Sequence, residues 1–454
     1  MEVTRTLARY VVNARIADVP APVRREAVRS VVNWLGCAVG SCRHEAVDCA
    51  LAALGRFSGA REASVLGREE KVDILLASLV NGISSHVFDF DDTHLKTIIH
   101  PAGPVASPLF ALAEHTKISG AELLHAFILG VEVECRIGNA VCPEHYERGW
   151  HVTGTAGVFG SAAASGKILG LDEQQMTWAL GIAGTQSAGL REMFGSHCKS
   201  FHPGRAAQNG LASALLAKAN FTSSNQVIEA KRGFANTMST KQEYGEITEG
   251  LGKSFEVSLN SYKPFACGIV IHPSIDGCVQ LKHENTLTGA EVEKIELTVS
   301  PHVLELTGKK TPQVGLEGKF SIYHSAAIAV LFGAAGEKEY SDECVRDPAV
   351  VALRERVQPT IDPKMRDDEA RVKITLKDGR VLQKHVTHAI GSLERPMSDA
   401  DLNSKFHVLA DDILGREHAQ RLLALTWDME TLADAADICR MSAPSPGQSA
   451  RRRA

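Results

Sequence analysis

The chain has 454 residues, 44% of them hydrophobic and 23% charged, with a net charge of −5. A chain this long can form two or three domains with large apolar cores, so its stability requires neither disulfides nor a structural metal. Basic residues cluster only at Arg451-Arg452-Arg453, which argues against a nucleic-acid partner, and no uncharged apolar run of about 18 residues predicts a membrane span.

Helical spacing begins with Leu7, Tyr10, Val11 and Ala14, and Pro20 and Pro22 punctuate before a helix over Val23–Val39. The small apolar run Ile74–Val87 suits a buried helix. Directly after it stand Asp89-Phe90-Asp91-Asp92-Thr93-His94, followed by His100-Pro101. Charges at the end of a buried helix are costly without partners or a task, which marks this stretch as one wall of a site. Further helices are predicted over 108–115 and 121–133. The small-residue stretch 153–171 reads as a tightly packed helix, since a phosphate-binding loop would need a preceding strand and a defined glycine spacing. Similar helices are predicted over 181–190 and 206–219.

The pattern changes near Tyr262. Ile295, Leu297 and Val299 alternate, as do Val372, Ile374 and Leu376, and Asp378-Gly379 is a hairpin signal. A helical run, 320–332, lies between them. Helical spacing returns after Pro396, and the polar tail from Ser442 is predicted to be disordered. The fold class expected is mainly α with an inserted α+β domain. A large all-helical domain is built from both chain ends (1–262 and 397–441), the smaller α+β domain spans 263–396, and 442–454 is a tail. The inserted domain would leave a cleft between rigid units, a favoured place for small-molecule sites.

The ten cysteines include no C-x-x-C pair and are expected as free thiols in a reducing compartment. No basic-then-apolar leader opens the chain, so a cytoplasmic location is expected, with a mitochondrial one left open.

Four places could face the acidic stretch. His151 in Gly149-Trp150-His151 opens the small-residue helix, where the helix dipole favours the neutral imidazole. Lys199 and His202 lie in a segment expected as a loop between helices. Lys263, with His272 downstream, marks the entry to the α+β domain, and Tyr323-His324 sits on its helix. Each has an ordinary alternative as a surface or core residue. Together they set lysine, histidine and tyrosine opposite carboxylates, a set suited to a substrate with several carboxylates and a proton moved on the adjacent carbon.

In this order the motifs Phe88-Asp89-Phe90-Asp91-Asp92-Thr93, His100-Pro101, Gly149-Trp150-His151, Lys199 with His202 and Ala206-Ala207-Gln208-Asn209-Gly210, Lys263-Pro264-Phe265 and Phe320-Ser321-Ile322-Tyr323 resemble the MmgE/PrpD family. That family includes 2-methylcitrate dehydratases, cis-aconitate decarboxylases and iminodisuccinate epimerases. The resemblance runs from about Val12 to Arg440. It implies a helical domain, a smaller lid domain, a homodimer and no cofactor or metal. In the decarboxylase branch it places Asp89, Thr93, His100, His151, Lys199, Lys263 and Tyr323 in the active site, and His202 and His272 are expected beside the substrate. The Gly-Trp-His triplet is similar to the decarboxylase and epimerase branches. The apolar spacer His94-Leu95-Lys96-Thr97-Ile98-Ile99 is longer than in the animal decarboxylase pattern, which points to a substrate carrying an alkyl group.

The leading expectation is a cofactor-independent lyase that decarboxylates cis-aconitate or an alkylated analogue. In it Lys199 and Lys263 clamp carboxylates, His100 or His151 protonates the carbanion, and Asp89 and Thr93 orient the donor. The alternatives are a 2-methylcitrate or alkylcitrate dehydratase, a dicarboxylate epimerase, and a non-catalytic binding protein. A Mg²⁺ site on Asp89, Asp91 and Asp92 for a diphosphate substrate is disfavoured because no second acidic cluster follows. Asp91 and Asp92 are expected to brace the loop or cap the next segment, and His94 has no expected role.

Overall fold

A computed structural model describes residues 2–445. They divide into two compact units. The first comprises the stretches up to Val87, Asp91–Asn260 and from Asp399 onward, and the second comprises Phe88–Phe90 and Ser261–Ser398.

In the first unit, small and apolar residues build α1 (Ala21–Gly40), α2 (Ile74–Val87), α3 (Ala102–His115), α4 (Gly120–Val141), α5 (Val152–Ile168), α6 (Glu173–Gly184) and α7 (His197–Lys218). Capping boxes start two of them, Ser119 with Glu122 for α4 and Asp172 with Gln175 for α6. Each such cap stabilises its helix by about 1 kcal/mol. From Leu123 to Val141, α4 is buried on every side, so it is the central helix. Around it, α5 packs on α3, α4 and α7, and α7 packs on α2. Glycine permits the last contact: a Cβ on Gly82 of α2 would lie 2.5 Å from Gly204 Cα of α7. Trp34 and Phe110 stack in the core with ring centroids 5.0 Å apart, and such a pair adds about 0.5–1.5 kcal/mol beyond its burial. The helix Asp399–Leu414 packs on α1 through Phe406.

Four boundaries differ from expectation, and in the first of them α4 runs on to Val141 instead of ending at Val133. Helix α3 starts at Ala102 rather than at Pro108, with Pro104 in its first turn, where the amide hydrogens lack intrahelical acceptors and proline is tolerated. Helix α6 ends at Gly184, and instead of a helix over 181–190 the backbone of Leu190 bridges Trp150. Helix α7 starts at His197, where a loop was expected, because the Ser196 hydroxyl caps it by accepting from the Cys198 amide at 3.3 Å. Lys199 and His202 are therefore helical.

In the second unit, β1 (Val292–Val299), β2 (Val357–Ile361), β3 (Ala370–Leu376) and β4 (Val381–Val386) form one sheet in the order β2-β1-β3-β4. The β1–β2 pair is parallel and the others are antiparallel. Ile295 pairs with Val357 on one side and Ile374 on the other, and Ile374 pairs with Leu382. Period-two alternation buries Ile295, Leu297 and Val299 with Val372, Ile374 and Leu376. Gly379 (φ +88°) closes the β3–β4 hairpin with the left-handed backbone such a turn needs. Helices α8 (His272–Asn285) and α9 (Ile322–Phe332) pack on each other, α8 also on β3 and β4 and α9 on β2.

The ten cysteines are free thiols. No described helix is long and apolar enough to cross a membrane. Ser442–Ser445 do not follow the expected disorder: Ser442 Oγ donates to the Cys439 carbonyl at 2.7 Å, and Ser445 Oγ lies 3.0 Å from His418 Nδ1. The rest of the predicted tail, with Arg451–Arg453, lies outside the described residues.

Candidate active site

The last turn of α2 presents His86, fully buried, and the chain then reverses to bring Asp91 back beside it. His86 Nδ1 donates to Asp91 Oδ2 at 2.7 Å. His100, just before α3, has its Nδ1 2.8 Å from the Asp92 carbonyl and 3.4 Å from both Asp91 Oδ1 and Thr93 Oγ1. A carbonyl only accepts, so this nitrogen carries the hydrogen and Nε2 of neutral His100 presents its lone pair. The His86 and His100 rings meet edge to face at 4.6 Å. Burial pushes His86 down to about 4, so it is a neutral donor. Burial alone would raise Asp91, but the imidazoles of His86 and His100 more than reverse it, and Asp91 stays a carboxylate.

Asp91 thus organises two imidazoles, which corrects its expected role as a loop brace. Asp92 does brace: Ser30 Oγ and Asn260 Nδ2 donate to it at 2.8 and 2.6 Å, and the Ala102 amide at the start of α3 reaches it at 3.4 Å. Burial, then the charge of Asp91, pushes Asp92 up to about 6. His94 has partners too, Glu256 at 3.0 Å and Thr97 Oγ1 at 2.8 Å.

A second imidazole pair adjoins the first. His151, the residue before α5, and His202 of α7 share a hydrogen bond between their Nδ1 atoms at 2.9 Å, one ring donating and the other accepting. His151 lies 6.3 Å from His100 and 5.9 Å from His86, ring centre to ring centre, and meets Phe194 edge-on at 5.0 Å. Lys199, in the first turn of α7, is 8% exposed and holds its ammonium 5.2 Å from the centre of the Phe194 ring. Burial first, then the crowding of His86, the Lys199 ammonium and His202, drives His151 well below the usual imidazole range. Burial, more than the helix start invoked from the sequence, keeps it neutral. His202 is pushed down to about 4 by burial and by Lys199.

The second unit holds the other expected residues. Lys263 Nζ donates to Asp89 Oδ1 at 2.7 Å and to the Asp89 carbonyl at 3.0 Å, with the two side chains 1% and 5% exposed. Asp89 itself is left-handed, at φ +51°. His272 opens α8 with its ring edge-on to Phe265 at 5.3 Å, and Tyr323 lies half-buried in the first turn of α9. Thr93, His100, His151, Lys199 and His202 therefore gather in the first unit, and Asp89, Lys263, His272 and Tyr323 belong to the second.

Sequence reasoning passed over His86, Glu134 and Lys319. Lys319 is buried in the second unit and donates to the Phe88 carbonyl at 2.5 Å and to Glu337. Glu134, wholly buried in α4, has no hydrogen-bond partner on either carboxylate oxygen among the described residues, and burial raises it well above the carboxylate range. A polar side chain at the end of an apolar, small-residue helix was the available signal for His86. Within a single unit, two groups of described residues have the donor types of a metal site: His86, His100 and His151 in the first, and Asp368, His388 and Glu394 in the second, each set with ligand atoms within 4.8 Å of one another.

Residues 5–247 match the MmgE/PrpD N-terminal domain and residues 265–431 the MmgE/PrpD C-terminal domain. The chain is similar to a cis-aconitate decarboxylase-like protein of Aspergillus oryzae, 25% identical over 96% of each chain. It is 26% identical to a cis-aconitate decarboxylase of Aspergillus terreus over 95% of this chain and 94% of that one. It is also 26% identical to the cis-aconitate decarboxylase of Homo sapiens, over 98% of this chain and 95% of that one. With both domains matched along most of its length, the chain belongs to the MmgE/PrpD family.

Proposed function

We propose that the chain is a cofactor-independent lyase that decarboxylates cis-aconitate or an alkylated analogue, working as a homodimer in the cytoplasm. The observation that carries this reading is the buried cluster of His86, His100, His151 and His202 in the first unit, with the Lys199 ammonium on the Phe194 ring that meets His151. Several hydrogen-bonding imidazoles beside a cation, sheltered from water, suit a ligand carrying more than one carboxylate. Lys199 and Lys263 hold carboxylates. The electron pair of the breaking C–C bond passes into a carbanion conjugated with the unsaturated acid, carbon dioxide leaves, and His151 protonates the carbon. Acid catalysis of this kind contributes about 10²–10⁴-fold, and the cationic clamp supplies much of the remainder.

Dehydration of 2-methylcitrate or an alkylcitrate is the second reading, and one observation favours it. His100 carries its hydrogen on Nδ1 and so offers a base at Nε2, while His151 can accept at Nδ1 from His202 and offer an acid at Nε2. An acid and a base on neighbouring rings are what elimination of water requires. Incubation with cis-aconitate, 2-methylcitrate and an alkylcitrate panel, with carbon dioxide and products followed by mass spectrometry, separates the two. Release of carbon dioxide is expected, and a dehydrated product without it would overturn the decarboxylase assignment.

A further inference from the structure

His151 is 1% exposed, and in the lyase reading it must regain a proton in each turnover. The polar contact of its Nδ1 is His202 Nδ1 at 2.9 Å. Beyond His202 the structure opens. The His202 ring lines a cavity of about 250 Å³ in the first unit, walled also by Leu190, Met193, Phe201, Arg205 and Asn209. Leu190 and Arg205 at its rim are exposed, so this cavity is in contact with solvent.

We propose that His202 is a proton-relay residue, connecting His151 to solvent through this cavity while the active site is occupied; the inference rests on the lyase reading above. A proton from water or a buffer acid in the cavity adds to the outer nitrogen of His202. The proton on His202 Nδ1 crosses the 2.9 Å hydrogen bond to His151 Nδ1, and the proton on His151 Nε2 forms the new C–H bond with the electron pair left by carbon dioxide. One proton enters at the cavity for each one that leaves on product. The two rings exchange tautomers in the step and return to their starting forms when the emptied site admits water.

The relay is tested in the full chain turning over cis-aconitate. His202→Ala makes a gap continuous with the cavity, and His202→Gln keeps a group able to hydrogen-bond His151 but unable to titrate. Both should lower kcat by about 10²-fold with KM little changed, since a proton donor and not a substrate contact is lost. Imidazole added to H202A should restore kcat at least tenfold, more strongly for methylimidazoles of higher pKa, while pyrazole, of similar shape but far weaker basicity, restores nothing, and H202Q should resist rescue. Retention of kcat within threefold in both variants, or rescue that pyrazole matches, overturns the relay. A wild-type chain that converts no polycarboxylate removes the lyase reading and the relay together, whereas an active wild type with unrescued variants removes the relay alone.

Discussion

The ion pair between Lys263 and Asp89 supports a quantitative prediction that does not depend on the reaction. Two unit charges 2.7 Å apart attract by about 6 kcal/mol at an effective dielectric near 20. Desolvating both groups cancels much of this, so the pair as a whole contributes little net stability. Losing one member is a different matter, because it strands the other charge in a nearly closed site at a cost of about 3–5 kcal/mol. Asp89→Asn and Lys263→Met should each destabilise the second unit by that amount, and the double variant should recover most of the loss. The coupling energy should exceed about 2 kcal/mol. Intrinsic fluorescence is the wrong probe, since Trp34, Trp150, Trp178 and Trp427 all lie in the first unit. Urea-dependent hydrogen exchange in peptides covering 292–299 and 370–376 reads the correct unit. Single variants within 1 kcal/mol of wild type, or losses that merely add in the double variant, would refute the reasoning.

Gly82→Ala places a methyl group against the α7 backbone and should cost about 1–3 kcal/mol in denaturant unfolding, while an alanine at the open Gly59 should cost under 1 kcal/mol. His145, buried between Thr155 Oγ1 and the Met238 carbonyl, is pushed down to about 4 by burial. The unfolded chain, titrating near 6.5, therefore binds more protons between those values, so the stability is fully present above pH 6.5 and lost as pH falls towards 4. The loss is about 2 kcal/mol at pH 5, and the gap in unfolding free energy between wild type and His145→Gln should close by that amount between pH 7 and pH 5. Glu134 titrates the opposite way, because its raised folded-state pKa makes its neutral form native and its ionisation destabilising. Glu134→Gln should be more stable than wild type by about 1–3 kcal/mol at pH 8, with an advantage that vanishes below about pH 4.5. An advantage independent of pH would point to packing instead.

Features with a local cause were legible in the sequence. Ile295, Leu297 and Val299 alternate because one face of their strand is buried, and Asp378-Gly379 turns because glycine admits the positive φ found there. His100, His151 and Lys199 stood out because each interrupts an apolar or small-residue setting. What escaped depends on chain reversal. Asp91 reads as one of three similar carboxylates, and only the turn after Val87 shows that its carboxylate, and not that of Asp92, meets His86 and His100. The start of α7 escaped because Lys199, His202 and Pro203 together look like a loop, whereas a serine cap and a proline early in a long helix are compatible with helical backbone.

The contact between Gly82 and Gly204 has a consequence for anyone wishing to change what this protein acts on. Gly82 lies one turn before His86, and Gly204 stands two residues after His202, so the crossing of the two helices sets the separation between the imidazoles they carry. It is a datum point without slack. A library that varies these positions would mostly sample displaced histidines, and a shift near 1 Å at a reacting centre can cost about 10²-fold in rate. Randomising the spacer between Thr93 and His100 while holding the glycine crossing constant is the sounder way to look for altered substrate range.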